Sequence, residues 1–119
     1  MRPLRFAARM GALALLFGLP VTLSIAQENR NSANYIMKGC RDLIKADSSE
    51  GWLEMGICSG KIDGVEWSAD EVCAPRGSTH GQSIRVVVAY IERRPERMHE
   101  SFNKLALEAL IAAWPCARR

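Results

Sequence analysis

Between residues 34 and 114 the apolar positions recur at helical rather than alternating spacing, in four separate runs. Within Asn34–Lys45, Ile36, Cys40, Leu43 and Ile44 share one stripe, the pattern of an amphipathic helix. Asp47-Ser48-Ser49-Glu50 reads as a turn and N-terminal cap, its carboxylates suited to the positive end of a helix. A second helix is expected over Glu50–Asp63, with Trp52, Met55, Cys58 and Ile62 directed inward. Gly51, Gly56 and Gly60 weaken it by propensity, but they also allow a neighbour to approach closely. Residues Gly64–Ser78 are polar and carry Pro75 and Gly77, so they read as a long connection with at most one helical turn, at Ser68–Glu71.

Thr79-His80-Gly81-Gln82 fits a capping box ahead of an apolar run. The run places Ile84, Val87, Val88 and Ile91 at i, i+3, i+4 and i+7, which predicts a third helix. Its β-branched content also suits a strand over Ile84–Tyr90, but the cap and the spacing favour the helix. A break at Arg93-Arg94 leads to Pro95 and Glu96, residue types of a helix start, and a fourth helix is expected from Pro95 to Ala113 or Trp114, ending at Pro115. This helix has two apolar stripes. Met98, Phe102, Leu105, Ala109 and Ala112 form one, and Leu107, Leu110, Ile111 and Trp114 part of another. The pattern as a whole predicts an all-α, four-helix bundle-like domain.

Composition agrees with a single folded domain: 119 residues, 48% hydrophobic and 24% charged. The net charge of +3 is localised. Arg2, Arg5 and Arg9 precede the apolar run Met10–Leu19, Pro20 breaks it, and Ser24 and Ala26 place small residues at −3 and −1 of a cleavage site. Residues 1–26 therefore read as a secretory signal peptide, with the mature chain at 27–119. An uncleaved anchor is the rival reading, but a span needs roughly 20 apolar residues and Pro20, Thr22 and Ser24 interrupt this one. Of the 16 Lys/Arg, three lie in the leader, leaving 13 against 13 Asp/Glu. A neutral mature chain removes the argument for nucleic acid or an acidic membrane as partner.

Export changes the reading of the four cysteines, Cys40, Cys58, Cys73 and Cys116. None stands in a Cys-x-x-Cys or beside a histidine, so two structural disulfides formed in an oxidising compartment are expected rather than zinc or redox chemistry. The first two helices turn near Asp47–Glu50, which puts Cys40 opposite Cys58. The last two turn near Arg94–Pro95, which brings Cys73 towards Cys116. Closing loops of 18 and 43 residues stabilises by roughly 3 and 4 kcal/mol in the chain-entropy model.

Catalytic candidates are few. His80 reads as a solvated first-turn residue and His99 as a partly exposed residue of the fourth helix, neither with a carboxylate or cysteine at ligand spacing. The chain has no nucleophile elbow, phosphate-binding glycine loop or zinc-helix motif, so no cofactor is expected and the chain does not read as an enzyme. The Glu/Arg pairs around Glu92–Glu100 read as a solvated charged face. Trp67 stands out, in a polar connection outside any apolar stripe and near Asp70 and Glu71. It either folds back over the core or anchors a partner, and tryptophan is among the residues that most often carry interface energy.

Cys58-Ser59-Gly60-Lys61-Ile62-Asp63-Gly64, Cys73-Ala74-Pro75 and Thr79-x-x-Gln82 follow one another in order. Arg94-Pro95-Glu96-Arg97-Met98-His99 and Ala109-Leu110-Ile111-Ala112-Ala113-Trp114-Pro115-Cys116 complete the set. This ordered set resembles the Rap/Tai family of periplasmic immunity proteins associated with type VI secretion. One departure is Lys61, where the family often carries a tyrosine. The resemblance implies a small helical protein, often dimeric, that sterically blocks a secreted peptidoglycan amidase effector. On composition and exposure, the partner surface is expected at Trp67, Asp70 and Glu71, with the first part of the third helix next, and a homodimer through the two-faced fourth helix. A small periplasmic chaperone or acid-stress protein, which would expose apolar surface when its carboxylates protonate, is the rival reading, and an envelope scaffold a third.

Overall fold

The computed structural model describes residues 29–45 and 50–117; the expected signal peptide at 1–26 and residues 46–49 of the first turn lie outside them. Four α-helices follow in order: α1 (Ala33–Lys45), α2 (Trp52–Ser68), α3 (His80–Glu92) and α4 (Phe102–Ala113), with a 3-10 turn at Pro95–Arg97 between the last two. No strand forms among the described residues, so the β-branched run of α3 is helical, as its cap and spacing indicated. α1 packs chiefly on α2 and α3 on α4, while α1–α3 and α2–α4 contacts join the two pairs. Every helix contributes to the shared core, in which Met37, Ile62, Val87, Ile91, Phe102, Leu105 and Leu110 are fully buried.

The cysteines pair as the helix geometry anticipated. Cys40–Cys58 joins α1 to α2 with Cα atoms 5.3 Å apart, and both residues are buried in the core. Beside it the two helices nearly touch: a Cβ built on the buried Gly39 would run into the backbone carbonyl of Glu54 and stand 3.0 Å from its Cβ. Cys73–Cys116, with Cα atoms 4.9 Å apart, ties the segment before α3 to the end of the chain. An isolated bridge between Val72 and Pro115, and a hydrogen bond from the Cys73 amide to the Trp114 carbonyl (2.9 Å), hold the same two segments together.

Two helices, α2 and the expected fourth, differ from the sequence reading. α2 continues five residues beyond Asp63, because buried Val65 extends the stripe of Cys58 and Ile62 by one more turn. That stripe also sets the phase of the helix. Trp52, six residues before Cys58, lies about 120° around the helix from it and is 75% exposed rather than inward. The start of α2 is likewise not capped by a side chain: its N-cap is Gly51, at φ 85°, a left-handed conformation suited to glycine.

The expected fourth helix is split. Its first part is the 3-10 turn, and α4 proper starts only at Phe102. The interruption serves α1, whose first amides need acceptors. Ala33 and Asn34 donate to the carbonyls of Glu100 and Met98 (3.0 and 2.8 Å), and the Phe102 amide donates back to Asn31 (2.8 Å). A continuous helix would have committed those carbonyls to its own ladder. His99 consequently lies in an exposed turn and not in a helix.

The charges around this turn are not simply a solvated face. Arg97 Nε and Nη1 donate to Glu100 Oε1 and Glu108 Oε2, both at 2.7 Å, and Lys104 Nζ donates to Glu100 Oε2 at 2.8 Å. Tyr90 Oη reaches Glu108 Oε2 at 3.1 Å, and the Arg94 guanidinium stacks 3.6 Å over the Tyr90 ring. Hydrogen bonds from Arg97, then from Lys104, hold the Glu100 carboxyl down at about 2. Arg97 lowers Glu108 as well, against the opposing effect of burial, and is itself raised by the two carboxylates. The network fastens the 3-10 turn and α3 to α4.

Candidate partner-binding surface

The last turn of α2, the turn that follows it and the start of α3 form one continuous edge. α3 begins where the sequence placed it. Thr79 Oγ1 accepts from the Gln82 amide (3.2 Å) and Gln82 Oε1 accepts from the Thr79 amide (2.7 Å), a complete capping box. His80, the first residue of α3, is half-buried rather than solvated, with Nε2 2.9 Å from the Ser59 hydroxyl of α2. That contact docks the start of α3 on the middle of α2. His80 Nδ1 and Ser83 Oγ are buried without a hydrogen-bond partner among the described residues.

Trp67 is on helix α2, not in a connection, and is 92% exposed. It does not fold back over the core. With Asp63, Glu66, Ser78, Thr79 and His80 it lines an open groove of about 330 Å³. The groove therefore offers an aromatic wall, two carboxylates and two hydroxyls. Asp70 and Glu71 are exposed in the turn just beyond, which Cys73 tethers at its far end. Glu71 faces a second shallow groove with Val65, Ser68, Asn103, Lys104 and Leu107, so Trp67 and Glu71 stand on different sides of the helix end. The structure thus brings Trp67 together with Glu66 and with His80 at the start of α3, the segment expected next to it, and adds Asp63, which sequence reasoning did not assign to the surface. The signal was present in the i, i+4 spacing of Asp63 and Trp67, obscured by reading Gly64 as the end of the helix.

Ser59 and His80 touch, but a serine nucleophile needs its histidine oriented from the far side by a third group. The far nitrogen of His80 has no such partner among the described residues. Nor is there, among them, a group of three or more His, Cys, Asp or Glu arranged to hold a metal ion. What the edge presents is shape, aromatic surface and negative charge, held by two disulfides. A family model for Rap1a immunity proteins matches residues 32–116, and the chain belongs to that family. Neither the curated proteins nor the solved structures provide a match. Lys61, which departs from the family's frequent tyrosine, reaches Asn31 Oδ1 with its ammonium at 3.3 Å, pinning the segment before α1 to α2.

Proposed function

We propose that this chain is a periplasmic immunity protein that binds a peptidoglycan amidase effector of type VI secretion and inhibits it sterically, with no chemistry of its own. The observation that carries the reading is the family match across the whole helical domain. The two disulfides agree with an oxidising compartment, and no helix among the described residues is long and apolar enough to cross a membrane. The surface that meets the effector is centred on Trp67, an almost fully exposed indole bordered by the Asp63 and Glu66 carboxylates, and continues round the helix end onto the exposed Asp70 and Glu71, charges that suit a basic rim around a cleft. The test is a cell-wall digestion assay with the amidase and oxidised residues 27–119. Trp67→Ala combined with Asp70→Lys and Glu71→Lys should raise the inhibitory concentration by roughly 100-fold or more, as loss of a hot spot does. Unchanged inhibition by the triple variant excludes this edge, and failure of the wild-type protein to inhibit any co-expressed amidase excludes the function.

A further inference from the structure

Charge is unevenly spread over the domain. Residues 27–119 hold 13 Lys/Arg and 13 Asp/Glu, but residues 50–75 hold six carboxylates and one cation, Lys61, whose ammonium is turned to Asn31. Elsewhere Asp42, Glu92, Glu100 and Glu108 each meet a cation of their own chain. Asp63 and Glu66 meet none among the described residues, and the Trp67 indole beside them is 92% exposed.

The three side chains share one wall of the groove. At 3.6 residues per turn Asp63 falls between Glu66 and Trp67 on the surface of α2, about 60° from the first and about 40° from the second. Helical side chains lean towards the amino end of their helix, which carries the indole back over the Asp63 turn. On the opposite wall, Ser78 has given its one hydroxyl proton to the Pro75 carbonyl (2.8 Å) and keeps only lone pairs for a ligand. His80 Nε2 is engaged by the Ser59 hydroxyl. The amino end of α3 also borders the groove, with a positive charge of about one half against two full carboxylates. The site is therefore aromatic, rich in acceptors and negative.

We propose that this groove is the seat of one arginine of the effector, its guanidinium stacked on the Trp67 indole and its N–H groups donating to Asp63 and Glu66. A guanidinium carries five donors and no acceptor, matching the side chains that line the site. It is flat and weakly hydrated, so it can lie on the ring while its edge reaches the carboxylates alongside. The ammonium of a lysine is a compact, strongly hydrated charge and cannot do both. A sugar needs donors as well as acceptors, which these side chains do not supply. That the arginine is the effector's rests on the function proposed above; that the groove selects a guanidinium does not.

The probe is the tripeptide acetyl-Gly-Arg-Gly-amide, titrated into oxidised residues 27–119 and followed through the indole N–H signals of the three tryptophans. The Trp67 signal, identified by its loss in Trp67→Ala, should move saturably with a dissociation constant on the order of 10 mM, while those of Trp52 and Trp114 stay. Citrulline in place of arginine keeps the shape and removes the charge, and should weaken binding roughly tenfold. Asp63→Asn combined with Glu66→Gln should do the same, with an unchanged circular dichroism spectrum. Equal binding of the citrulline peptide, indifference to the double variant, or a Trp67 signal unmoved up to roughly 0.1 M overturns the proposal. No amidase is present in this titration, so it decides the seat alone. In the digestion assay the double variant should inhibit roughly tenfold less well than wild type. Full inhibition by it excludes the effector's arginine as occupant and leaves the immunity reading in place, whereas a wild-type chain that inhibits nothing overturns that reading and not the selectivity of the groove.

Discussion

Gly39→Ala and Gly56→Ala are the same chemical change at two helix-interior glycines, and the structure assigns them opposite signs. In a helix interior, alanine is favoured over glycine by about 1 kcal/mol. Gly56 faces open space, so Gly56→Ala keeps that gain. The corresponding rise in Tm is roughly 4–8 °C for a domain of this size. Gly39 faces the Glu54 backbone, which cannot rotate away, and the neighbouring Cys40–Cys58 bridge opposes separation of the helices. Overpacking of this kind costs about 1–3 kcal/mol, and here the upper end applies because a radial gap of even ~1 Å forfeits a quarter to a half of the local dispersion attraction. The net loss for Gly39→Ala is about 1–2 kcal/mol, a fall in Tm of roughly 5–15 °C. Thermal unfolding of dilute, oxidised protein followed by circular dichroism reads both. A Gly39→Ala variant melting at or above wild type would refute the close contact between α1 and α2.

Thr79→Ala removes one half of the capping box and should cost about 1 kcal/mol, read as a fall in denaturant midpoint with unchanged slope; an unaltered midpoint would mean that α3 starts without its cap. Glu100 gives a dependence on pH. Its carboxyl is held below its ordinary 4.5, at about 2, chiefly by Arg97, so its contribution is complete above 4.5 and is lost as pH falls towards 2. Arg97→Gln should flatten the acid limb of the stability curve in that window, and an equally steep limb in the variant would count against the network.

The parts of the fold legible in the sequence are those decided locally or by a strong stripe. Thr79 and Gln82 are three residues apart and satisfy one another, so no distant contact was needed to recognise the start of α3. The cysteine pairing followed from helix order and two turns. The end of α2 was hidden because Gly64, Glu66 and Ser68 resemble a loop in composition, while the single residue that keeps the turn helical, Val65, does so by packing into the core. The break before α4 was invisible for a different reason. It depends on carbonyls at Met98 and Glu100 being needed by amides at Asn34 and Ala33, more than sixty residues away in the chain. Trp67 was singled out for its polar setting, and its exposure agrees with that. Its neighbours Asp63 and His80 could be found only by continuing the helix and folding α3 against it.

The two disulfides join the first cysteine to the second and the third to the fourth. For a chain threaded amino end first into an oxidising compartment, this is the simplest assembly problem four thiols can pose. In a chain exported in that way, Cys58 arrives while Cys40 is the only other thiol present, so the first bond to form is native and no longer competes. Cys73 then waits 43 residues for its partner, with no free thiol left on the chain to capture it wrongly. Oxidation in order of arrival yields the native pairs without any exchange step. A chain connected first to third and second to fourth would instead have to undo its earliest bond.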